Sequence, residues 1–253
     1  MTETLSAIDV VERTRQPILE FARGWLMSPD TAAKGAELGL PKGFGFWVCG
    51  RGGVVGDVDS DVAAAAIGFM APPVVRSIWE ARPAGLAARD CAAAYAECCF
   101  AWGRVALADV PEARLERLDA LARAVADAAP AVTGALFAGW RAMPRPADAA
   151  ARVALSMHVL RELRGGAHLS AIQASGLSPV GSIMASPAPR GGADWAGALG
   201  WSEPYPDAAG LGEARQAAEA LTSKICAPAY EVLDPIERAD FVELVATARA
   251  AID

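Results

Sequence analysis

Apolar residues recur at helical spacing along most of the chain, so the pattern predicts a mainly helical protein. Over residues 8–26, Val11, Ile18, Phe21, Ala22 and Trp25 fall on one side of a helix. Ser28-Pro29-Asp30 then restarts the chain. The serine side chain can accept from the free amides of a new helix, proline suits its first position, and aspartate favours its positive end. That second helix is expected to stop at Gly39, a residue suited to a left-handed helix end. Beyond it the pattern predicts a short helix or turn over 41–49, a helix over 62–80 kinked or broken at Pro72-Pro73, and two long helices over 86–107 and 112–129. Further on come a helix over 150–164 ended by Gly165-Gly166, a short one over 167–175 ended by Gly176, a second restart at Ser178-Pro179, and closing helices over 213–233 and 235–252.

Two Arg-Gly-Gly stretches interrupt this helical text. Residues 51–61 (RGGVVGDVDSD) are rich in glycine and valine and read as a short hairpin; Arg190-Gly191-Gly192 reads as another. AAKGAELGL (32–40) resembles LSAIQASGL (169–177), and each is followed by a proline-opened short helix and then an Arg-Gly-Gly loop. Helix, turn, helix, hairpin, closing helix is the order of a winged helix-turn-helix. The expected fold is therefore mainly α. Two winged-helix-like halves, 1–145 and 146–253, form a pseudo-dimer in one chain with short β-hairpin wings, their long helices packed at the centre.

Composition narrows the function. The chain has 253 residues, 53% of them hydrophobic, enough for a sizeable core. Its net charge is -7, which argues against wrapping nucleic acid through a broad basic surface. Three of the basic residues are lysine (Lys34, Lys42, Lys224); the rest are arginine. Glu3, Asp9 and Glu12 precede the first basic residue, unlike a secretory leader, and the apolar run over 62–75 is too short to span a bilayer and is broken by Pro72-Pro73. The expectation is a cytoplasmic protein with no membrane partner. Five cysteines, an odd number with no CxxC pair, fit buried thiols in a reducing compartment.

The strings GFGFWVCGRGG (43–53), FMAPPVVRSIW (69–79) and LRELRGGAHLSAIQASGLS (160–178) resemble an actinobacterial helix-turn-helix-like family of winged-helix, MarR-like character. The resemblance runs over roughly 15–201, and 213–252 is similar to the terminal helices of MarR-type regulators. It implies a fold and a candidate pocket, with Arg51, Ala71-Pro72, Arg161, Arg164-Gly165 and His168 as recurring features. The chain departs from the family at Gly166, where an acidic residue is frequent, and at Leu163, where a histidine is frequent. Roles resting on those two groups do not carry over.

Residues that read base edges are scarce where a recognition helix is expected. The segment 41–50 has one lysine and a bulky aromatic face, and 179–187 has no charged or amide side chain. Such helices suit a core or a pocket. Arg51 and Arg190 would touch phosphates as wing residues, but two arginines do not offset the acidic balance, so nucleic acid is not the expected partner.

His158 and His168 are the two histidines. A metal site would need a third ligand, and joining His158 and Glu162 to His168 requires convergence across the Gly165-Gly166 break; no metal is expected. His168 is placed in the first turn of the helix after that break, where a helix start depresses the proton affinity of imidazole and leaves amides free for an anion. Arg161, Arg164 and His168 would then hold a carboxylate or phosphate. Phe44, Phe46 and Trp47 lie among glycines, and with Phe69 they read as pocket walls. No nucleophile elbow appears, and GRGGVVGD (50–57) lacks the Lys-Ser/Thr end of a phosphate loop. The expected function is binding of a small, partly apolar organic ligand between the halves, for sensing, sequestration or a step of secondary metabolism. Trp47, Arg51, Phe69, His158, Arg161, Arg164 and His168 form the site, no cofactor is specified, and the protein is a monomer or homodimer. One rival is a transcriptional regulator that binds DNA through its wings. The other is an enzyme using His168 as general base.

Overall fold

The computed structural model describes residues 4–252. Helix α1 (Ala7–Leu26) opens on a reciprocal cap: the Ser6 amide donates to Asp9 Oδ2 at 2.8 Å and the Asp9 amide donates to Ser6 Oγ at 3.3 Å. Its apolar side, with Val11, Ile18, Phe21 and Trp25, is buried. Ser28 caps α2 (Pro29–Glu37) as its sequence dictates, accepting from the Thr31 amide at 3.2 Å, and Gly39 turns the chain with φ +72°. There follow α3 (Gly45–Gly52), α4 (Ser60–Ile67) and α5 (Pro72–Glu80). The break between α4 and α5 falls at Gly68, φ +79°, and Pro72 begins a new helix instead of kinking an old one.

Then come α6 (Ala88–Ala106), α7 (Glu112–Ala128), α8 (Ala135–Arg141), α9 (Ala149–Ala174), α10 (Pro179–Met184), α11 (Gly192–Ala198), α12 (Gly212–Tyr230) and α13 (Pro235–Ala250). Helix α9 is the centre. A consecutive run from Val153 to Leu160 is buried, and α1, α6, α7, α8 and α12 all pack on it. A helix apolar on all sides is one that neighbours enclose. The main core cluster extends from Leu5 to Ala248. Among the described residues no helix is long and apolar enough to cross a membrane.

Two expectations fail. The mainly α expectation holds, but the β-hairpin wings do not form: no strand occurs among the described residues, so the winged-helix description of the two halves is withdrawn. Residues Arg51 and Gly52 end α3, and 53–55 make one 3-10 turn. The glycines here serve close packing, not a hairpin. A Cβ on Gly53 would lie 2.1 Å from the Ala88 carbonyl oxygen, and one on Gly50 would lie 2.6 Å from the Tyr95 ring. At the second Arg-Gly-Gly, Gly192 begins α11.

The break at Gly165-Gly166 is absent as well. Helix α9 runs straight through both glycines for 26 residues. Gly166 admits the segment before α8, since a Cβ there would stand 2.4 Å from the Thr133 carbonyl oxygen. Its neighbours, not its propensity, keep the helix whole.

Candidate functional site

Continuity of α9 builds the site. Arg161, Arg164, Gly165 and His168 follow at intervals of three, one and three, so all four share one helix face. That face forms one wall of a cleft of about 630 Å³, closed by α1, α3, α12 and the segment from α10 to α11. His168 is therefore far from any helix start, and the free amides expected beside it are hydrogen-bonded within α9.

At the inner end, Arg51 donates to Glu162 through two nitrogens, Nε to Oε1 at 2.7 Å and Nη2 to Oε2 at 2.8 Å. Arg161 Nη1 adds a third bond to Oε1 at 2.6 Å. The Glu162 side chain is 1% exposed. Burial alone would raise its proton affinity; the charges of Arg51 and Arg161 and the Arg51 hydrogen bonds prevail and hold it at about 2. Burial lowers Arg161 to about 10, so it stays charged at neutral pH. Its Nε is buried with no partner. Arg51 also lies 4.7 Å over the Trp47 ring, and its carbonyl accepts from Trp140 Nε1 at 3.0 Å.

His158 sits behind this cluster, edge-on to Trp25 at 5.0 Å and Trp140 at 4.4 Å, and fully buried. Its Nε2 lies 3.5 Å from Glu162 Oε1, and neither ring nitrogen has a hydrogen-bond partner. Burial pulls it down to about 3 against the attraction of Glu162, so the ring is neutral.

At the outer end Glu219 of α12 faces three arginines. Arg164 Nη2 donates to its Oε2, Arg215 Nη2 lies 3.3 Å from Oε1, and Arg15 Nη1 lies 3.8 Å from Oε2. Arg164 Nη1 is buried and unpartnered. Arg23 and Arg190 also line the cleft, and among the described residues neither forms an ion pair. Burial, then the positive charge of Arg190, depresses Arg23. Seven arginines thus line one cleft, and two carboxylates, Glu162 and Glu219, pair with them.

Apolar walls complete the space. Phe44 lies edge-on to Trp47 at 6.0 Å and to Trp195 at 6.4 Å. Phe69, held by Trp201 Nε1 donating to its carbonyl at 2.9 Å, stacks on His168 at 5.8 Å and 23°. His168 Nδ1 bonds Thr222 Oγ1 at 2.8 Å. Burial lowers His168 to about 4; Glu219 opposes this, and Arg164 and Arg215 add to it.

Of the residues singled out from sequence, Trp47, Arg51, Phe69, Arg161, Arg164 and His168 line this cleft, and His158 does not. Sequence reasoning missed Arg15, Arg23, Arg215, Glu219 and Trp195, and assigned Arg190 to a wing. Two signals were available: Gln16, Leu19 and Arg23 share a face of α1, and Arg215 and Glu219 are four apart on α12. Among the described residues no group of three or more ligating side chains is placed to hold a metal.

A family model described as a Helix-turn-helix family matches residues 11–253, the whole cleft included. The chain belongs to this helix-turn-helix family. No curated protein and no solved structure gave a match. In this helix-turn-helix protein, α3, the helix that follows the α2 turn, is sunk in the core. Its residues Phe46, Val48, Cys49 and Gly50 are buried, Phe46 against Tyr95 at 4.8 Å, so α3 is not offered to a major groove.

Proposed function

We propose that the protein binds a small organic anion in the arginine-lined cleft, with Trp47 and Phe69 as walls and Arg51, Arg161, Arg164 and His168 as polar contacts. One observation carries the reading: seven of the twenty arginines of an acidic chain gather on a single concavity, with one carboxylate, Glu219, in its lining and a second, Glu162, buried behind Arg51 and Arg161. Arg23 is half-buried without an ion pair among the described residues, and the seven guanidinium groups outnumber the two carboxylates, so a carboxylate or phosphate would supply the missing charge through paired, charge-assisted bonds. The volume, about 630 Å³, falls within the range of roughly 300–1,000 Å³ common to small-molecule sites. A concavity suits a small ligand; reading a duplex needs an element that protrudes into a groove. A histidine held at about 4 is a weak base at neutral pH, which favours binding over turnover.

The family supports a second reading, a regulator that binds DNA. With α3 buried, such contact would run through another surface, and ligand in the cleft would modulate it. The test is thermal unfolding against a panel of aromatic carboxylates, aryl phosphates and size-matched neutral amides, beside anisotropy with labelled duplexes at low and high salt. A ligand at a hundred times its Kd stabilises by about 2.7 kcal/mol. Stabilisation by anions alone, lost in Arg161→Met, is expected. Silence across the panel together with tight, salt-sensitive duplex binding would replace the first reading with the second.

A further inference from the structure

We infer that the cleft selects a ligand carrying, besides its anionic group, a hydroxyl or N–H that donates to His168 Nε2: a planar hydroxy-carboxylate in place of a plain acid. The inference rests on the anion-binding reading of the cleft and deepens it.

The argument is a count of protons along one hydrogen-bonded chain. Thr222 Oγ1 donates its single proton to the Ala218 carbonyl at 2.7 Å. Toward His168, 2.8 Å away, that oxygen can only accept. Nδ1 of His168 must therefore carry the ring proton, and Nε2 must present a lone pair. Burial keeps the ring from taking a second proton near neutral pH, with Arg164 on its own helix and Arg215 on α12 acting in the same sense and Glu219 on α12 against it. The hydrogen bond that the ring makes to the protein is through Nδ1, which leaves Nε2 to face the cleft, and the ring stacks on Phe69.

An acceptor is the unusual element here. The charged groups around the cleft are guanidinium donors, and the carboxylate of Glu219 is already engaged by Arg15, Arg164 and Arg215. A plain aromatic acid would satisfy the arginines and leave the Nε2 lone pair facing its apolar surface. A ligand with a distal donor satisfies both. Thr222 acts through His168 and is a positioning residue.

Three probes of one shape separate the possibilities: 2-naphthoate, 6-hydroxy-2-naphthoate and 6-methoxy-2-naphthoate, titrated calorimetrically into the full chain at pH 7.5. The hydroxy and methoxy compounds are close in size, and only the first can donate. All three are expected to bind, the hydroxy compound about tenfold more tightly than the methoxy compound, as one added hydrogen bond to an acceptor lining the cleft implies. In His168→Phe, which keeps the stack on Phe69, the ratio should fall to about one. Thr222→Val should lower it and Thr222→Ser restore it, an effect that a purely structural loss of stability would not produce. Equal affinities for the hydroxy and methoxy compounds in the unmodified protein, with 2-naphthoate bound, would overturn this inference and leave the cleft reading standing. Failure of all three to bind would overturn the cleft reading itself.

Discussion

Arg51-Gly52-Gly53 and Arg190-Gly191-Gly192 are the same three residues, and both arginines reach the same cleft. In the first, the arginine ends a buried helix, is 6% exposed, and is clamped by two bonds to a carboxylate 111 positions away. In the second, the arginine is exposed, lies 5.6 Å over Trp195, and has no carboxylate partner among the described residues. The glycines differ as well. Gly53 is required for its lack of a side chain against the α6 backbone, and Gly192 for its backbone angle, φ +79°. A tripeptide acquires its role from what packs on it. The first is packed into the fold and also lines the cleft; the second lines the cleft from an exposed turn.

The largest expected break in that contrast is Glu162→Gln. It leaves Arg51 and Arg161 buried together without a counter-charge and should cost about 3–5 kcal/mol in a urea melt. Arg190→Ala should change stability by no more than about 0.5 kcal/mol while weakening anion binding. Acidification tests the buried cluster next. His158 sits at about 3 in the fold against an ordinary 6.5, and Glu162 at about 2 against 4.5. Both folded values are depressed, so the unfolded chain binds more protons. Stability is then complete above pH 6.5, declines as His158 would charge, and declines further below pH 4.5, by about 1.4 kcal/mol per pH unit for each proton. Melting curves from pH 8 to pH 3 should show that slope; His168, depressed to about 4, adds to it between pH 6.5 and pH 4, so His158→Leu should remove about half of its upper part and leave the share of His168.

Gly53→Ala drives a methyl group into the Ala88 carbonyl and should cost about 1–3 kcal/mol. Gly192→Ala meets open space but a left-handed backbone, and should cost about 1–2 kcal/mol by the same melt. If the two glycine variants reversed in rank, with Gly53→Ala neutral, the close packing of α3 on α6 would be wrong.

Much of the helical layout was legible. The Ser28-Pro29 and Ser178-Pro179 restarts, the stop at Gly39 and the long helices α6 and α7 all follow local rules of capping and spacing. The failures are of one kind. Gly165-Gly166 looks like a terminator when read alone, yet α9 is enclosed by five helices and continues; the expected wing at 51–61 is a helix end pressed onto α6. The sequence already grouped Arg161, Arg164 and His168, but misplacing the end of α9 put His168 at a separate helix start instead of on one continuous face with the two arginines. Arg15, Arg23 and Arg215 escaped notice because they come from helices at the two ends of the chain, and only packing brings them to Arg161 and Arg164.

The account stands on charge: the proposal is that the arginine-rich hollow of this acidic protein holds an anion. Calorimetric titration of the intact chain with 2-naphthoate, beside 2-naphthylmethylammonium as a cation of similar shape, tests this directly. Saturable one-to-one binding of the carboxylate, with no heat from the ammonium, is the predicted result. Equal binding of both, or of neither, would contradict it.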